Sequence, residues 1–499
     1  MKKIIYTTAL SAILIIAGAG CSKDKLNLYP YNTVATELAF KTQADVTFDI
    51  NGMYTGLKTS NSYFVGGIWN ILADVLADNL VLNQGGRQSL KNPYYLYSYS
   101  SNNTYQLFAS NSASNTTTTT TGAGGYTIIR RANAILENIA KFPEGAFKND
   151  AMGQAYALRA MVYFDMSRVY SKTYLNATDA DFTLPYVTTT EATNLPSSEP
   201  LKGFYDKVIA DLVKAEGLIN TTAVNGNIKL NKAAVAGLLS RVYLYKGDYA
   251  NCIAAAGRAL GTSPNLPSIA NFPAIWTDGT AGDPGVLFKV KNTNLDNLNA
   301  QGVNYYQAVT GGIKSEYTVD YSFYQLFDNT DVRKSTYIQT SAYNGTVYNH
   351  IVKYAGRPGT PAGVVDGKVL RTAEVLLNRM EAEYRSGAIP AAIADLVLLK
   401  TNRYTGYDAT IDNALSGTPL LTEILKQRRL ELAFEGDRFW DLKRLNLPVQ
   451  RDATHGEKAD GTGTPPAIPT LAAGDPKFQL PYAQAEVLFN PNIKQNPGY

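Results

Sequence analysis

Cysteine, histidine and tryptophan are scarce: the 499 residues hold two, two and three of them. Cys21 and Cys252 alone cannot make a disulfide framework, so stability must come from a packed core, which this length and a 45% hydrophobic content can supply. His350 and His455 lie far apart without a neighbouring metal-ligand pattern, which argues against a zinc site or a His-based triad. Charge is also sparse, at 18% of residues with a net +4, half of it from Lys2 and Lys3, and this gives nucleic-acid binding no electrostatic support. Past Ala19 no apolar run approaches the roughly 20 residues of a membrane span. None of these patterns calls for a metal or a cofactor.

What is present begins with Lys2-Lys3 and an apolar stretch, Ile4 to Ala19, interrupted by Thr7, Thr8 and Ser11. It reads as a secretory leader over residues 1–20 rather than a membrane anchor. Ala17, Gly18, Ala19 and Gly20 stand directly before Cys21, as at a bacterial lipoprotein processing site, although Gly18 replaces the usual larger aliphatic residue. Cys21 is therefore the expected lipidation site, followed by a polar tether over 21–36. Each buried acyl methylene contributes about 0.8 kcal/mol, so several chains on one cysteine suffice as an anchor.

The remainder, 37–499, reads as one mainly α domain: helix pairs like tetratricopeptide repeats, large irregular loop insertions and a few short strands. Its N-terminal helical part covers about 37–260 and its C-terminal part 264–499. Helices are expected over about 42–57, 66–80, 126–139 and 153–169, and another on Phe204, Val208, Leu212, Ala215 and Ile219, which recur at three- and four-residue spacing. Tyr243, Gly247, Tyr249, Ala259, Leu260 and Pro264 fall at tetratricopeptide positions, with a looser copy at 371–400 turning at Gly387. Two stretches break the helical pattern. Residues 83–125 are rich in Ser, Asn, Thr, Gly and Tyr, and 264–369 are dense in Pro, Gly, Asn and Tyr, with short strands expected at 285–291 and 346–354.

Six further segments carry a family pattern. Glu423–Asn446 reads EILKQRRLELAFEGDRFWDLKRLN and Phe478–Tyr499 reads FQLPYAQAEVLFNPNIKQNPGY; with them go LRTAEVLLNRMEAEY at 370–384, YTIIRRAN at 126–133, LADVLADN at 72–79 and Asp331-Val332-Arg333. In this order they resemble the SusD/RagB family of outer-membrane lipoproteins. The resemblance implies a helical protein outside the outer membrane, anchored by its lipid and lying over a TonB-dependent transporter. Such a protein captures nutrients, most often oligosaccharides, without catalysis; in the RagB branch it handles peptides, a reading that the shortage of loop tryptophans also fits. A tetratricopeptide-like assembly scaffold and, more remotely, a glycosidase are the alternatives from other classes.

Aromatic rings can stack on a sugar face while tyrosine hydroxyls bond its rim. Of 34 tyrosines, Tyr94, Tyr95, Tyr97, Tyr99 and Tyr105, with Asn102, lie in the first excursion, and Tyr305 and Tyr306 in the second; these are the expected ligand contacts, with loops 83–125 and 294–324 as the ligand region. The alternation Tyr95-Tyr97-Tyr99 also fits a surface strand. Trp69, Trp276 and Trp440 read as core. Glu431 and Glu435, one helical turn apart, could suggest glycoside hydrolysis, but Arg428, Arg429, Arg438 and Arg444 nearby would lower a carboxyl pKa that a general acid needs raised. An ion-pair network is expected instead. Asp74 and Asp78 offer too few oxygens for a hard cation and read as helix-end hydrogen-bond groups.

Overall fold

The computed structural model describes residues 39–58, 68–83, 92–102, 125–191, 195–220, 227–278, 283–296, 300–357, 359–360 and 364–499. The leader, Cys21, the tether and Tyr105 lie outside them. By its contacts the chain divides into a short unit, Met1–Thr47, and a main unit, Phe48–Tyr499. In the short unit Thr42 N donates to Asp45 Oδ2 (2.7 Å) and Asp45 N to Thr42 Oγ1 (3.3 Å). This reciprocal capping box starts a helix at Gln43.

The main unit is mainly helical, with few short strands. Its principal helices are α1 (Ile68–Val75), α2 (Gly125–Asn138), α3 (Ala146–Tyr170), α4 (Leu201–Leu218), α5 (Lys232–Lys246), α6 (Tyr249–Leu260), α7 (Thr372–Arg385), α8 (Ile389–Thr401), α9 (Gly417–Glu431) and α10 (Arg438–Arg444). From α2 to α7 each packs on the next, and α7 also carries α8 and α9. The expected periodicities account for this. Ile128, Ile129, Ala132 and Ile135 bury one face of α2, and Phe204, Val208, Leu212 and Ala215 bury one face of α4. Burial of each large apolar side chain contributes about 1.5–3 kcal/mol, so a four-residue stripe outweighs any local propensity.

The two tetratricopeptide-like pairs are α5–α6 and α7–α8, and a small-residue seam joins them. Leu244, Cys252 and Ala382 form one core cluster. The Cys252 thiol donates to the Ser240 carbonyl at 3.2 Å, and burial pushes its pKa up, so it behaves as a packing group rather than a nucleophile. Gly247 turns α5 into α6 at φ +76°, a left-handed conformation that glycine adopts without strain, and a Cβ there would stand 2.6 Å from Leu175 Cδ2.

The strands that matter for function are β1 (Leu80–Leu82), β2 (Val286–Val290), β3 (Gln307–Val309), β4 (Gly312–Lys314), β5 (Tyr317–Val319), β6 (Ile338–Tyr343), β7 (Thr346–Ile351) and β8 (Gly367–Arg371). Two of them, β2 and β7, fall where the sequence placed them. β3, β4, β6 and β7 form a four-stranded antiparallel sheet, β2 pairs with β8, and β1 pairs with β5.

Gly247→Ala should destabilise the chain by about 1–2 kcal/mol, from backbone strain and displacement of Leu175. Urea unfolding would read this as a lower midpoint with an unchanged slope; an unchanged midpoint would contradict the strained turn.

Candidate functional site

The two irregular excursions spring from one place. β1, at the start of the first, pairs antiparallel with β5, inside the 294–324 loop of the second, in the register Leu80↔Val319, Val81↔Thr318 and Leu82↔Tyr317. The ladder is extended at both ends: Asn83 N donates to Glu316 O (3.0 Å), Asn83 Nδ2 to Ser315 O (3.1 Å) and Asp320 N to Asn79 O (3.0 Å). All three strand residues of β1 are buried hydrophobics, as are Tyr317 and Val319. Every residue of both strands is buried, so the ladder is enclosed on both faces.

Arg451 locks the root of the first excursion. Its guanidinium donates to Val75 O (2.9 Å), Ala77 O (2.9 Å) and Tyr95 O (2.6 Å), and lies over the rings of Tyr95 (3.9 Å) and Tyr97 (4.8 Å). Two of those carbonyls stand at the C-terminal end of α1, where a cation complements the helix dipole.

This arrangement corrects the reading of the tyrosines. Tyr94, Tyr95, Tyr97, Tyr99 and Tyr305 are all under 8% exposed and present no free ring face. Tyr95 packs on Tyr317, Tyr94 on Tyr99, and Tyr99 stacks on the C-terminal Tyr499 while donating to Lys477 O. Tyr305 sits between Tyr354 and Phe434. The alternating surface strand is also overturned: Asn92–Tyr95 is a single helical turn, and Tyr97 takes a left-handed φ of 51°. A tyrosine ring brings a large apolar area, and in a short root segment burying it outweighs leaving it as a platform. Of the remaining candidates, Asn102 is exposed and Tyr306 half-buried, while Tyr105 lies outside the described residues.

A third segment beside this root was not singled out from the sequence. Residues 452–464 pack against β5 through the Thr318 hydroxyl, which donates to Glu457 O (2.9 Å), and against β7 through Ala459 N to Val347 O (3.0 Å). There the half-buried rings of Tyr321 and His455 meet with centroids 4.8 Å apart. Asp452 organises the loop, accepting from Thr454 N (2.8 Å) and His455 Nδ1 (2.7 Å) and from the Ser322 hydroxyl, and these bonds hold its carboxyl well below the usual range. The signal available was the paired Asp-x-Thr turns at 452–454 and 460–462, which mark a built loop. The Ser, His and Asp here do not form a nucleophilic triad. Ser322 and His455 share one Asp452 oxygen, and Ser322 approaches the same Nδ1 that faces the acid (3.3 Å), not the far nitrogen.

Glu431 and Glu435 form a structural network, as expected, but with partners other than those expected. Glu431 accepts from Arg371 (2.9 Å), Arg403 (2.8 and 3.0 Å) and Arg333 (3.4 Å); Glu435 accepts from Arg371 (2.5 and 2.8 Å) and Lys353 (2.7 Å). The sequence-adjacent arginines go elsewhere: Arg428 to Asp441, Arg429 and Arg438 to Asp78, and Arg444 to Glu381. Burial opposes ionisation of Glu431, yet Arg403 and Arg371 hold its carboxyl well below the usual range, the reverse of what a general acid requires. Asp74 is the counter-case. Burial pushes it up to about 8 although it accepts from Phe434 N (3.3 Å) and Gly436 N (3.0 Å), so it braces the turn after α9 as the helix-end group expected. Trp276 and Trp440 are core, with Lys353 4.2 Å from the Trp276 ring centre. Among the described residues no group of three His, Cys, Asp or Glu stands close enough to hold a metal, and no helix is long and apolar enough to cross a membrane.

Two family models match this chain. The SusD family model covers residues 291–499, and a second, described as starch-binding and associating with the outer membrane, covers 39–244. A SusD-like protein of Formosa agariphila is 26% identical over 98% of each chain, and another from the same organism is 25% identical over 65% of this chain and 72% of its own. Among solved structures, a putative sugar-binding protein from Bacteroides vulgatus superposes with a TM-score of 0.76 at 27% identity, covering 92% of this chain and 99% of its own. A SusD superfamily protein from Bacteroides thetaiotaomicron, 23% identical, shares the fold with a TM-score of 0.75 over 91% and 100%.

Two predictions follow from the buried charges. Glu431→Gln leaves three buried arginines without their shared carboxylate and should cost about 3–5 kcal/mol in urea unfolding; a loss below about 1 kcal/mol would show that the network is dispensable. Asp78 and Glu381 are each brought down to about 2 by their arginines despite burial, against ordinary values of 3.8 and 4.5. A depressed carboxyl contributes stability above its unfolded value and loses it as pH falls through the folded one. Unfolding midpoints should therefore drop as pH falls from 4.5 to 2, most steeply below 3.8, where Asp74 is protonated in both states and no longer opposes the loss; a flat profile there would refute the assignment.

Proposed function

Because this chain belongs to the SusD family, we propose that it captures oligosaccharides at the outer membrane and hands them, unaltered, to a TonB-dependent transporter. The family consists of nutrient-binding proteins rather than enzymes and is associated with the outer membrane. The observation that carries the ligand region is the β1–β5 ladder, which roots both excursions side by side. Sugar recognition needs polar side chains and half-exposed rings converging on one surface. Tyr306, Asn102 and, beyond the described residues, Tyr105 remain the candidates from the excursions, and Tyr321 and His455 join them from beside the same root. Cys21 is the proposed lipid anchor and holds the protein facing outward. Peptide capture of the RagB kind is the second reading, favoured by the fact that Trp276 and Trp440 are both buried and unable to act as sugar platforms.

The test is calorimetric titration of the chain from Ser22 onward with polysaccharides, their oligomers and mixed peptides. Saturable binding to one glycan class is expected, weakened about tenfold by Tyr306→Ala, the worth of one stacked ring. Binding to peptides alone would move the protein to the second reading. Turnover of any bound glycan at enzymatic rates would overturn both.

A further inference from the structure

A cleft away from the loop region has the lining of a second ligand site. Its cavity is about 170 Å³ and lies where the C-terminal ends of α3 and α10 meet the segment Gly474–Gln479. For scale, an apolar cavity of about 150 Å³ accepts one benzene ring. A single six-membered ring is thus the size it takes.

Three buried polar groups stand in the wall. Thr173 is 6% exposed, and its hydroxyl has no hydrogen-bond partner among the described residues. Gln479 is 9% exposed; its backbone donates to Pro476 O and accepts from Tyr499, and its side chain lines the cleft. Lys443, 7% exposed, donates to Arg168 O (2.7 Å) and has no carboxylate within salt-bridge distance among the described residues. An unmade hydrogen bond at a buried polar atom is costly, so the orphaned Thr173 hydroxyl in the cavity wall is a ready source of affinity for a molecule that satisfies it.

The mixture of signs selects the ligand. Lys443 donates, although burial pushes it down to about 7, Lys172 donates while paired with Asp181 (2.6 Å), Asp475 accepts, and the Gln479 and Asn176 amides and the Thr173 hydroxyl do either. A carboxylate or phosphate would meet Asp475 and the carbonyl ends of two helices, both repulsive to an anion. Vicinal hydroxyls, which donate and accept from one atom, suit every member of this set. Phe478, stacked on Phe439 at 4.8 Å, supplies an apolar wall, and Leu447, 41% exposed, an apolar lip.

We propose that this cleft binds one neutral sugar ring, as a site separate from the loop region. The separation is one of residues: no lining group belongs to either excursion. Yet the same segment carries the root of the first one on Lys477, whose ammonium donates to Tyr99 O (2.9 Å). The site therefore lies beside the loop root and can hold a further ring of a glycan or a ring of another chain.

Saturation-transfer NMR on the full chain with D-glucose, D-galactose, D-xylose and D-glucuronate tests this. Transfer to at least one neutral pyranose is expected, with D-glucuronate binding more weakly. Thr173→Val, which removes an orphaned hydroxyl without changing shape and should fold normally, and Gln479→Ala should each raise the dissociation constant fivefold or more. The proposal is overturned if no neutral pyranose shows transfer, if neither cleft variant weakens it, or if D-glucuronate binds more tightly.

Discussion

Glu431 is the point on which the C-terminal half is hung. Its carboxylate, fully buried at the end of α9, meets guanidinium groups from three separate parts of the chain: Arg333 within the second excursion, Arg371 at the end of β8 and Arg403 after α8. Removing a carboxylate from water costs several kcal/mol, and one arginine would scarcely offset it. Three of them do, with Asp331, Gln427 and Tyr404 satisfying the rest of Arg333. The geometry leaves little freedom, because every segment that delivers an arginine must arrive at the same carboxylate. The β2–β8 pair, the end of α8 and the 320–337 stretch are thereby held in one arrangement.

That constraint explains which parts of the fold were legible in the sequence. The helices were, because amphipathic spacing is local and survives without knowledge of partners; β2 and β7 were, as short apolar runs between turn residues. The partners of Glu431 were not. Arg428, Arg429, Arg438 and Arg444 are its sequence neighbours, but their side chains leave the helix at other angles and find Asp441, Asp78 and Glu381. Arg333, Arg371 and Arg403 lie 28 to 98 positions away, and nothing in composition or spacing assigns them to one acid.

The tyrosines failed as platforms for a related reason. Richness in Tyr, Ser and Asn marks an irregular surface excursion, yet each excursion must also be attached, and attachment consumes its rings. Tyr95 and Tyr97 sandwich the cation that closes α1, Tyr99 seats the C-terminal Tyr499, and Tyr305 fills the core beside Phe434. Composition can locate such a segment but cannot divide it into root and tip. The division depends on where β1 finds β5, a pairing across more than 230 positions.

The same distribution of groups bears on catalysis. Enzymes concentrate perturbed ionisable groups in a cleft, where a shifted pKa faces the substrate. Here large shifts at Glu431, Arg371, Asp74 and Lys353 belong to groups enclosed in the scaffold and committed to one another or to backbone, while Lys443, which burial pushes down to about 7, lines the cleft beside α10 and donates to Arg168 O. Beside the shared root of the loops, by contrast, Asp452 is tied to a serine and a histidine through a single oxygen and held in its ionised form. A carboxylate fixed that way can accept a hydroxyl proton in a hydrogen bond, but it has no proton to give and no tendency to take one. Among the described residues, the buried charges are spent on holding the scaffold and the roots of the loops in place.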